Sequence, residues 1–85
     1  MLTAERLREI LVAIPGVDQV MVDEDEGRLV ARVIATRWDG VEDHERQAEI
    51  YGVLLDKLQR YEQRRVEFVF TDTPSEYADL AAGRA

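Results

Sequence analysis

His44 is the only histidine of the chain, and acidic residues surround it in the sequence at Glu42, Asp43 and Glu45. A histidine beside carboxylates has the chemistry of a metal ligand or of a general acid–base pair. Neither role is complete, because no second histidine accompanies it and the chain has no cysteine. We therefore interpret His44 as a solvated residue at the start of a helix, and we predict that the chain is not an enzyme.

A second acidic run, DEDEG at residues 23–27, offers the hard carboxylate oxygens that calcium prefers. Its spacing does not match an EF-hand loop, and no glutamate follows at the position that would close such a site. We interpret the run as an exposed hairpin tip. The sequence therefore predicts no metal and no cofactor.

Trp38, the only tryptophan, lies in the segment Arg37, Trp38, Asp39 and Gly40. Tryptophan and arginine are enriched at the energetic centres of protein interfaces, which favours an exposed anchor for a partner. A tryptophan in a small domain can equally act as a lid that buries its ring against the core and satisfies its N–H locally. We expect Trp38 mainly to be a lid at the edge of the sheet and to present part of its ring to a partner.

The composition limits the function classes. The chain of 85 residues has a net charge of −7, which argues against binding to a phosphate backbone. A basic cluster near the end of the long helix is interpreted as capping of that helix; it comprises Lys57, Arg60, Arg64 and Arg65. No apolar run approaches the roughly 20 residues that span a bilayer, and the lack of cysteine fits the cytoplasm. We expect one domain over residues 1–85, with a frayed tail at 80–85.

The apolar pattern predicts the elements. Thr3 should cap a first helix that ends at Pro15-Gly16, and strands at residues 17–22 and 28–36 should form a hairpin around the acidic loop.

Asp43 should cap a helix of about 18 residues with the stripe Ala48, Tyr51, Leu55 and Leu58, widened by Ile50, Val53, Leu54 and Tyr61. A third strand at 66–71 precedes a short helix with a capping box made by Thr73 and Glu76.

A right-handed crossover makes the second and third strands parallel. The fold class is α+β: a single small domain of order α-β-β-α-β-α, whose three-stranded mixed sheet carries its helices on one face.

Several short motifs resemble the BolA-like family, whose fold is similar to that of type II KH domains. The segment Arg37-Trp38-Asp39-Gly40 is similar to the family's Arg-Phe-x-Gly turn, and Arg46 followed by Ile50-Tyr51 is similar to its Arg-His-Arg helix and aliphatic-Tyr pair. The third strand and the TPSEY segment at residues 73–77 resemble the family's Val-His-Ala-Leu strand and Thr-x-Pro-x-Glu-Trp ending. The resemblance spans most of the chain from residue 28 onward.

The resemblance implies iron–sulfur cluster sharing with monothiol glutaredoxins through family histidines. Here Gln47 and Ala48 continue the segment after Arg46, and Glu67 stands where the family has a histidine on the third strand. Carboxylates and amides are hard ligands for that soft centre, so no cluster is expected. The Gly-x-x-Gly loop that a KH domain uses for nucleic acid is also absent.

The sequence thus predicts a non-enzymatic, protein-binding or regulatory module of the cytoplasm on a BolA-like scaffold, with a protein partner and neither membrane nor nucleic acid. The expected partner-binding residues are Arg37, Trp38, Asp39, Gly40, Arg46 and Tyr51. A homodimer through a strand edge or the broad helix face is also expected. Two alternatives remain open: a metal-linked domain resembling the αββαβ cytoplasmic domains of cation-efflux proteins, and an acidic inhibitor or immunity-type protein that docks on a basic partner.

Overall fold

Thr3 begins the first helix as predicted, because its hydroxyl accepts a hydrogen bond from the backbone N–H of Arg6. The computed structural model describes residues 1–83. In chain order the elements are α1 (Ala4–Val12), β1 (Gln19–Asp25), β2 (Arg28–Ile34), a 3₁₀ turn (Thr36–Trp38), α2 (Asp43–Lys57), α3 (Arg60–Gln63), β3 (Val66–Asp72) and α4 (Pro74–Ala81). The predicted α+β class and mixed three-stranded sheet are confirmed, with the short α3 added to the predicted order.

The sheet has the order β1-β2-β3. β1 and β2 run antiparallel, and β3 runs parallel to β2, as the right-handed crossover predicts. The acidic run is not the loop that the sequence suggested: Asp25 pairs with Arg28, so only Glu26 and Gly27 form the turn. Both turn residues have positive φ, 50° and 79°, which suits a tight two-residue hairpin turn. Most of the acidic residues therefore lie on β1.

Alternation along the strands separates the two faces of the sheet. Leu29, Ala31 and Val33 of β2 are fully buried on the inner face, where α1 packs against β1 and β2 and α2 packs against β3. α1 contributes Leu7, Ile10 and Leu11 to this core. The inner face thus forms the single hydrophobic core that the chain length allows.

The orientation of α2 differs from the prediction. Its buried positions are Arg46, Ile50 and Leu54, whereas Tyr51 and Leu55 of the predicted stripe are 61% and 52% exposed. Two overlapping apolar stripes run along this helix. The stripe that packs on the sheet is the one of Ile50 and Leu54, in line with Arg46. The helix is also shorter than predicted, because Leu58 adopts an extended conformation (φ −117°, ψ 145°) and a separate turn, α3, follows it.

α4 begins with the predicted capping box. The Thr73 hydroxyl accepts from the backbone N–H of Glu76 (3.2 Å), and the Glu76 carboxylate accepts from the backbone N–H of Thr73 (2.8 Å). The helix extends to Ala81. The frayed tail at 80–85 stays a prediction, since Arg84 and Ala85 lie outside the described residues. Within residues 1–83, no helix combines the length and the apolar character needed to cross a bilayer.

Candidate functional site

Trp38 is a lid, with 1% of its surface exposed. It lies in the 3₁₀ turn after β2, and its ring N–H donates to Oε1 of Glu49 on α2 (3.0 Å). The expectation that part of the ring faces a partner is wrong, because the hydrophobic core takes up the whole side chain. The predicted lid role is the one that the structure shows.

Arg37 joins three parts of the chain. Two of its nitrogens donate to the two carboxylate oxygens of Glu49, and its Nε donates to the backbone oxygen of Pro15 (2.9 Å). The hydrogen bonds from Arg37 hold the pKa of the Glu49 carboxyl below its ordinary value, and the Trp38 bond adds to this effect. Gly16 leaves room for this arginine: it has φ 83°, and a Cβ atom there would lie 2.5 Å from Arg37 Nε. The sequence does not identify Glu49, because no local pattern distinguishes it from the other acidic residues of the predicted helices.

Arg46 is 6% exposed and holds the loop after the 3₁₀ turn. Its guanidinium donates to the backbone oxygens of Val41 (2.9 Å), Trp38 (3.0 Å) and Thr71 (3.2 Å). It also forms a bidentate pair with the Glu76 carboxylate on α4, at 2.7 and 3.2 Å. These bonds lower the pKa of Glu76. Arg46 therefore connects α2, β3 and α4 from the inside, and its side chain is not at the surface in this conformation.

The remaining predicted partner-binding residues are at the surface, but not together on one element. Asp39 and Gly40 are exposed in the loop before α2, and Arg37 is half-exposed beside Glu49. Tyr51 projects from the middle of α2. The structure thus divides the predicted set into an internal pair, Trp38 and Arg46, and a separated exposed group.

Tyr51 lies on the rim of a groove between α2 and β3. The groove has a volume of about 280 Å³, and its apolar lining comes from Ile50, Tyr51 and Leu54 on α2 and from Val66, Phe68 and Val69 on β3. Gln47, Gln63 and Glu67 supply the polar part of the lining. Phe68, which is 46% exposed, was predicted only as a strand residue. The place of Phe68 in the groove depends on which face of α2 packs on the sheet, and the sequence did not predict that face.

The free edge of β3, next to this groove, is partly covered. The Asp72 carbonyl accepts from Ala35 N–H and so faces β2, which places the carbonyls of Thr71 and Val69 toward the open edge. Gln47 Nε2 donates to the Val69 oxygen (2.9 Å), and Arg46 donates to the Thr71 oxygen. Two of the edge carbonyls are thereby occupied by side chains of α2.

Solved BolA structures are similar to this chain over nearly its whole length. The structure is similar to a BolA protein homologue from Coxiella burnetii (TM-score 0.68, 20% identity, covering 92% of this chain and 99% of that one). It is also similar to BolA1 from Arabidopsis thaliana (TM-score 0.64, 19% identity, 89% and 98%) and to the BolA domain of SufE1 from the same plant (TM-score 0.64, 20% identity, 89% and 99%). No protein-family model and no curated protein matches the sequence.

The chain has the BolA-like fold. The predicted resemblance is confirmed at the level of the fold, a three-stranded mixed sheet with four helices within residues 1–83.

The iron–sulfur chemistry that the family resemblance implies does not fit the donor set of this chain. Glu67, at the place of the family's strand histidine, is exposed and lies 4.0 Å from Arg28. His44 is in the first turn of α2, and residues 1–83 contain no group of three or more histidine, cysteine or carboxylate ligands that could hold a metal ion. Isolated carboxylates are poor ligands for a soft cluster, so the side chains of residues 1–83 do not fit one.

Proposed function

We propose that this chain is a non-enzymatic, cytoplasmic protein-binding or regulatory module on the BolA-like scaffold. The partner is a protein, and its docking surface is the groove between α2 and β3. The observation that carries the proposal is the pair of exposed aromatic rings, Tyr51 and Phe68, on the rim of an apolar groove. Aromatic side chains beside a desolvated pocket are typical anchors of protein interfaces.

The size of the groove supports a protein partner. Its volume of about 280 Å³ is below the roughly 300–1,000 Å³ of pockets that enclose drug-sized ligands. One large apolar side chain of a partner would fill it, and the rings of Tyr51 and Phe68 would pack around that side chain. Gln63 and Glu67 remain at the margin as hydrogen-bonding groups.

The internal residues support the same surface indirectly. Arg46 and Gln47 fix α2 against β3 through the carbonyls of Thr71 and Val69. Such bonds keep the two walls of the groove at a constant separation, which lowers the ordering cost of binding. Arg37, Asp39 and Gly40 remain proposed contacts for a larger partner.

The proposal is tested by affinity capture from the native lysate with matched variants. Tyr51→Ala and Phe68→Ala remove the two rim rings. Tyr61→Ala is the control, since Tyr61 is 64% exposed and lies outside the groove lining. We expect one protein to be retained by the unmodified chain and by Tyr61→Ala, and lost from both rim variants. Retention by all the chains, or equal loss from all three variants, would contradict the proposal.

A further inference from the structure

The outer face of the sheet, opposite α1 and α2, is only partly covered. By alternation with the buried inner residues it carries Met21, Asp23 and Asp25 from β1, Arg28, Val30, Arg32 and Ile34 from β2, and Phe68, Phe70 and Asp72 from β3. The residues of three adjacent strands thus form one continuous surface.

α4 covers one end of this outer face. Tyr77 places its hydroxyl 3.7 Å from the Met21 sulfur, and the Arg32 guanidinium lies between the Tyr77 ring (5.6 Å) and the Phe70 ring (4.6 Å). Arg32 also forms an ion pair with Asp72. Ile34 is buried at this end, so the cover is effective there.

The other end of the outer face is open and aromatic. Phe68 and Phe70 are 46% and 41% exposed, and their rings meet edge to face at 4.8 Å. The register places Val30 directly beside Phe68 and places Asp23 on the far side of Val30. A sheet face with this many apolar residues usually packs against a helix. Here α4 covers only one end of the face.

The open end is also acidic. Asp23 and Asp25 are exposed and make no ion pair with any residue in 1–83, whereas Arg32 is neutralised by Asp72 and Arg28 lies 4.0 Å from Glu67. The strand surface therefore presents aromatic rings on β3 and unpaired carboxylates on β1. Opposite charges across an interface favour association and select the partner.

We propose that the open half of the outer face binds a basic amphipathic helix of another protein. Its apolar side would pack on Phe68, Phe70 and Val30, and its lysines or arginines would face Asp23 and Asp25. A second copy of this chain is a poorer occupant, because each copy carries a net charge of −7. The surface is separate from the α2–β3 groove except at Phe68, and its occupant does not depend on the function proposed for the groove.

The probe is a designed helical peptide of about 18 residues with leucine on one face and lysine on the other, labelled for fluorescence anisotropy. A matched peptide replaces every lysine by glutamate. We expect the lysine peptide to bind and the glutamate peptide not to bind. Amide shifts of the ¹⁵N-labelled chain should locate the lysine peptide at Val30, Phe68 and Phe70. Shifts confined to other surfaces would overturn the proposal.

Two substitutions test the two halves of the surface. Phe70→Ala, which leaves the groove lining intact, should weaken the lysine peptide about tenfold. The double variant Asp23→Asn/Asp25→Asn should weaken it about fivefold and leave folding unchanged, since both carboxylates are exposed. Tyr51→Ala, a groove variant, should leave the peptide affinity unchanged.

A charge-matched control separates docking from general attraction. Glu5→Gln/Glu9→Gln on α1 changes the net charge by the same amount as the aspartate pair and should weaken the peptide less. Equal weakening by the two double variants, or unchanged affinity in Phe70→Ala, would show nonspecific attraction and overturn the proposal. A dimer of the unmodified chain that Phe70→Ala dissociates in sedimentation would assign this face to a second copy, which also overturns it.

Discussion

At the residue scale, Arg46 occupies a position on α2 that an apolar side chain would ordinarily fill. Its burial is sustained because every side of the guanidinium meets an acceptor: three backbone oxygens and the Glu76 carboxylate. Trp38 depends on this arrangement, since its own carbonyl is one of the acceptors. No buried side-chain nitrogen or oxygen within residues 1–83 lacks a hydrogen-bond partner. The interior thus carries a complete polar network beside the hydrophobic core.

Replacing Trp38 tests its role as a lid. Trp38→Ala should lower the free energy of unfolding by about 3–5 kcal/mol, because it empties a large buried volume and leaves Glu49 without one donor. Denaturant unfolding followed by circular dichroism measures the change. Tyr61→Ala, at an exposed ring, is the control and should change stability by less than about 0.5 kcal/mol. An unchanged melting temperature in Trp38→Ala would contradict the lid role.

The acid dependence of stability should follow Glu49 and Glu76. Both carboxyls have a pKa lowered from the ordinary 4.5, by hydrogen bonds from Arg37 and Arg46 respectively. A lowered pKa in the folded state means that the stabilisation is present above the unfolded-state value and is lost as the pH falls through the folded-state value. Stability should therefore decline below about pH 4.5.

Glu76→Gln and Glu49→Gln isolate these contributions. Each variant should be less stable than the unmodified chain at neutral pH and should lose less stability between pH 5 and about pH 3. Thermal unfolding across this pH range measures the difference. Glu5→Gln serves as the control for an exposed helical acid, and a parallel decline in all of the chains would contradict the assignment.

At the element scale, the sequence predicted the three strands, their pairing and the helices α1, α2 and α4, but not the short α3 or the 3₁₀ turn. It did not predict the rotation of α2. Tyr51 and Leu55 make as good an apolar stripe as Ile50 and Leu54, and the contacts that fix the buried face are long-range, such as the pairing of Arg46 with Glu76, 30 positions away. A contact of that kind is invisible to a local pattern. Thr73 and Glu76, in contrast, were predicted correctly because a capping box is complete within four residues.

Gln47 gives a prediction for the free edge of β3. Gln47→Ala exposes the Val69 carbonyl to a strand from another molecule, so it should increase concentration-dependent self-association. Gln63→Ala removes a similar amide-to-carbonyl bond, to Leu58, away from that edge and should not. Sedimentation velocity at high micromolar concentration compares the two. Equal association in both variants would count against an edge protected by Gln47. A homodimer of the unmodified chain through a strand edge or the broad helix face stays a prediction.

At the scale of the whole molecule, the BolA-like fold appears with donor residues that do not suit the cluster chemistry implied by the family resemblance. This chain therefore has the fold without a set of cluster-binding residues among residues 1–83. The surfaces proposed for partner binding are the α2–β3 groove and the outer face of the sheet, which meet at Phe68. Recognition of a protein by either surface would need no bound metal.

The purified chain should accordingly be free of stoichiometric metal. Glu67 and His44 are separately placed, and Asp23 and Asp25 lie on a regular strand, which offers calcium no enclosing loop. Elemental analysis after dialysis should give iron, zinc and calcium well below one equivalent. Near-stoichiometric metal would contradict this and would favour the metal-linked alternative.

The close approach of Arg37 to Gly16 has a consequence for how such sequences diverge. A side chain at position 16 would collide with the arginine and would also be strained by the positive φ, so Gly16 cannot be replaced while Arg37 keeps this position. Among chains that share this architecture, loss of the glycine should accompany loss of the arginine, whereas the acid at position 49 should persist wherever it still accepts from Trp38. Covariation of positions 16 and 37, far apart in sequence, would trace which descendants keep the same anchored loop.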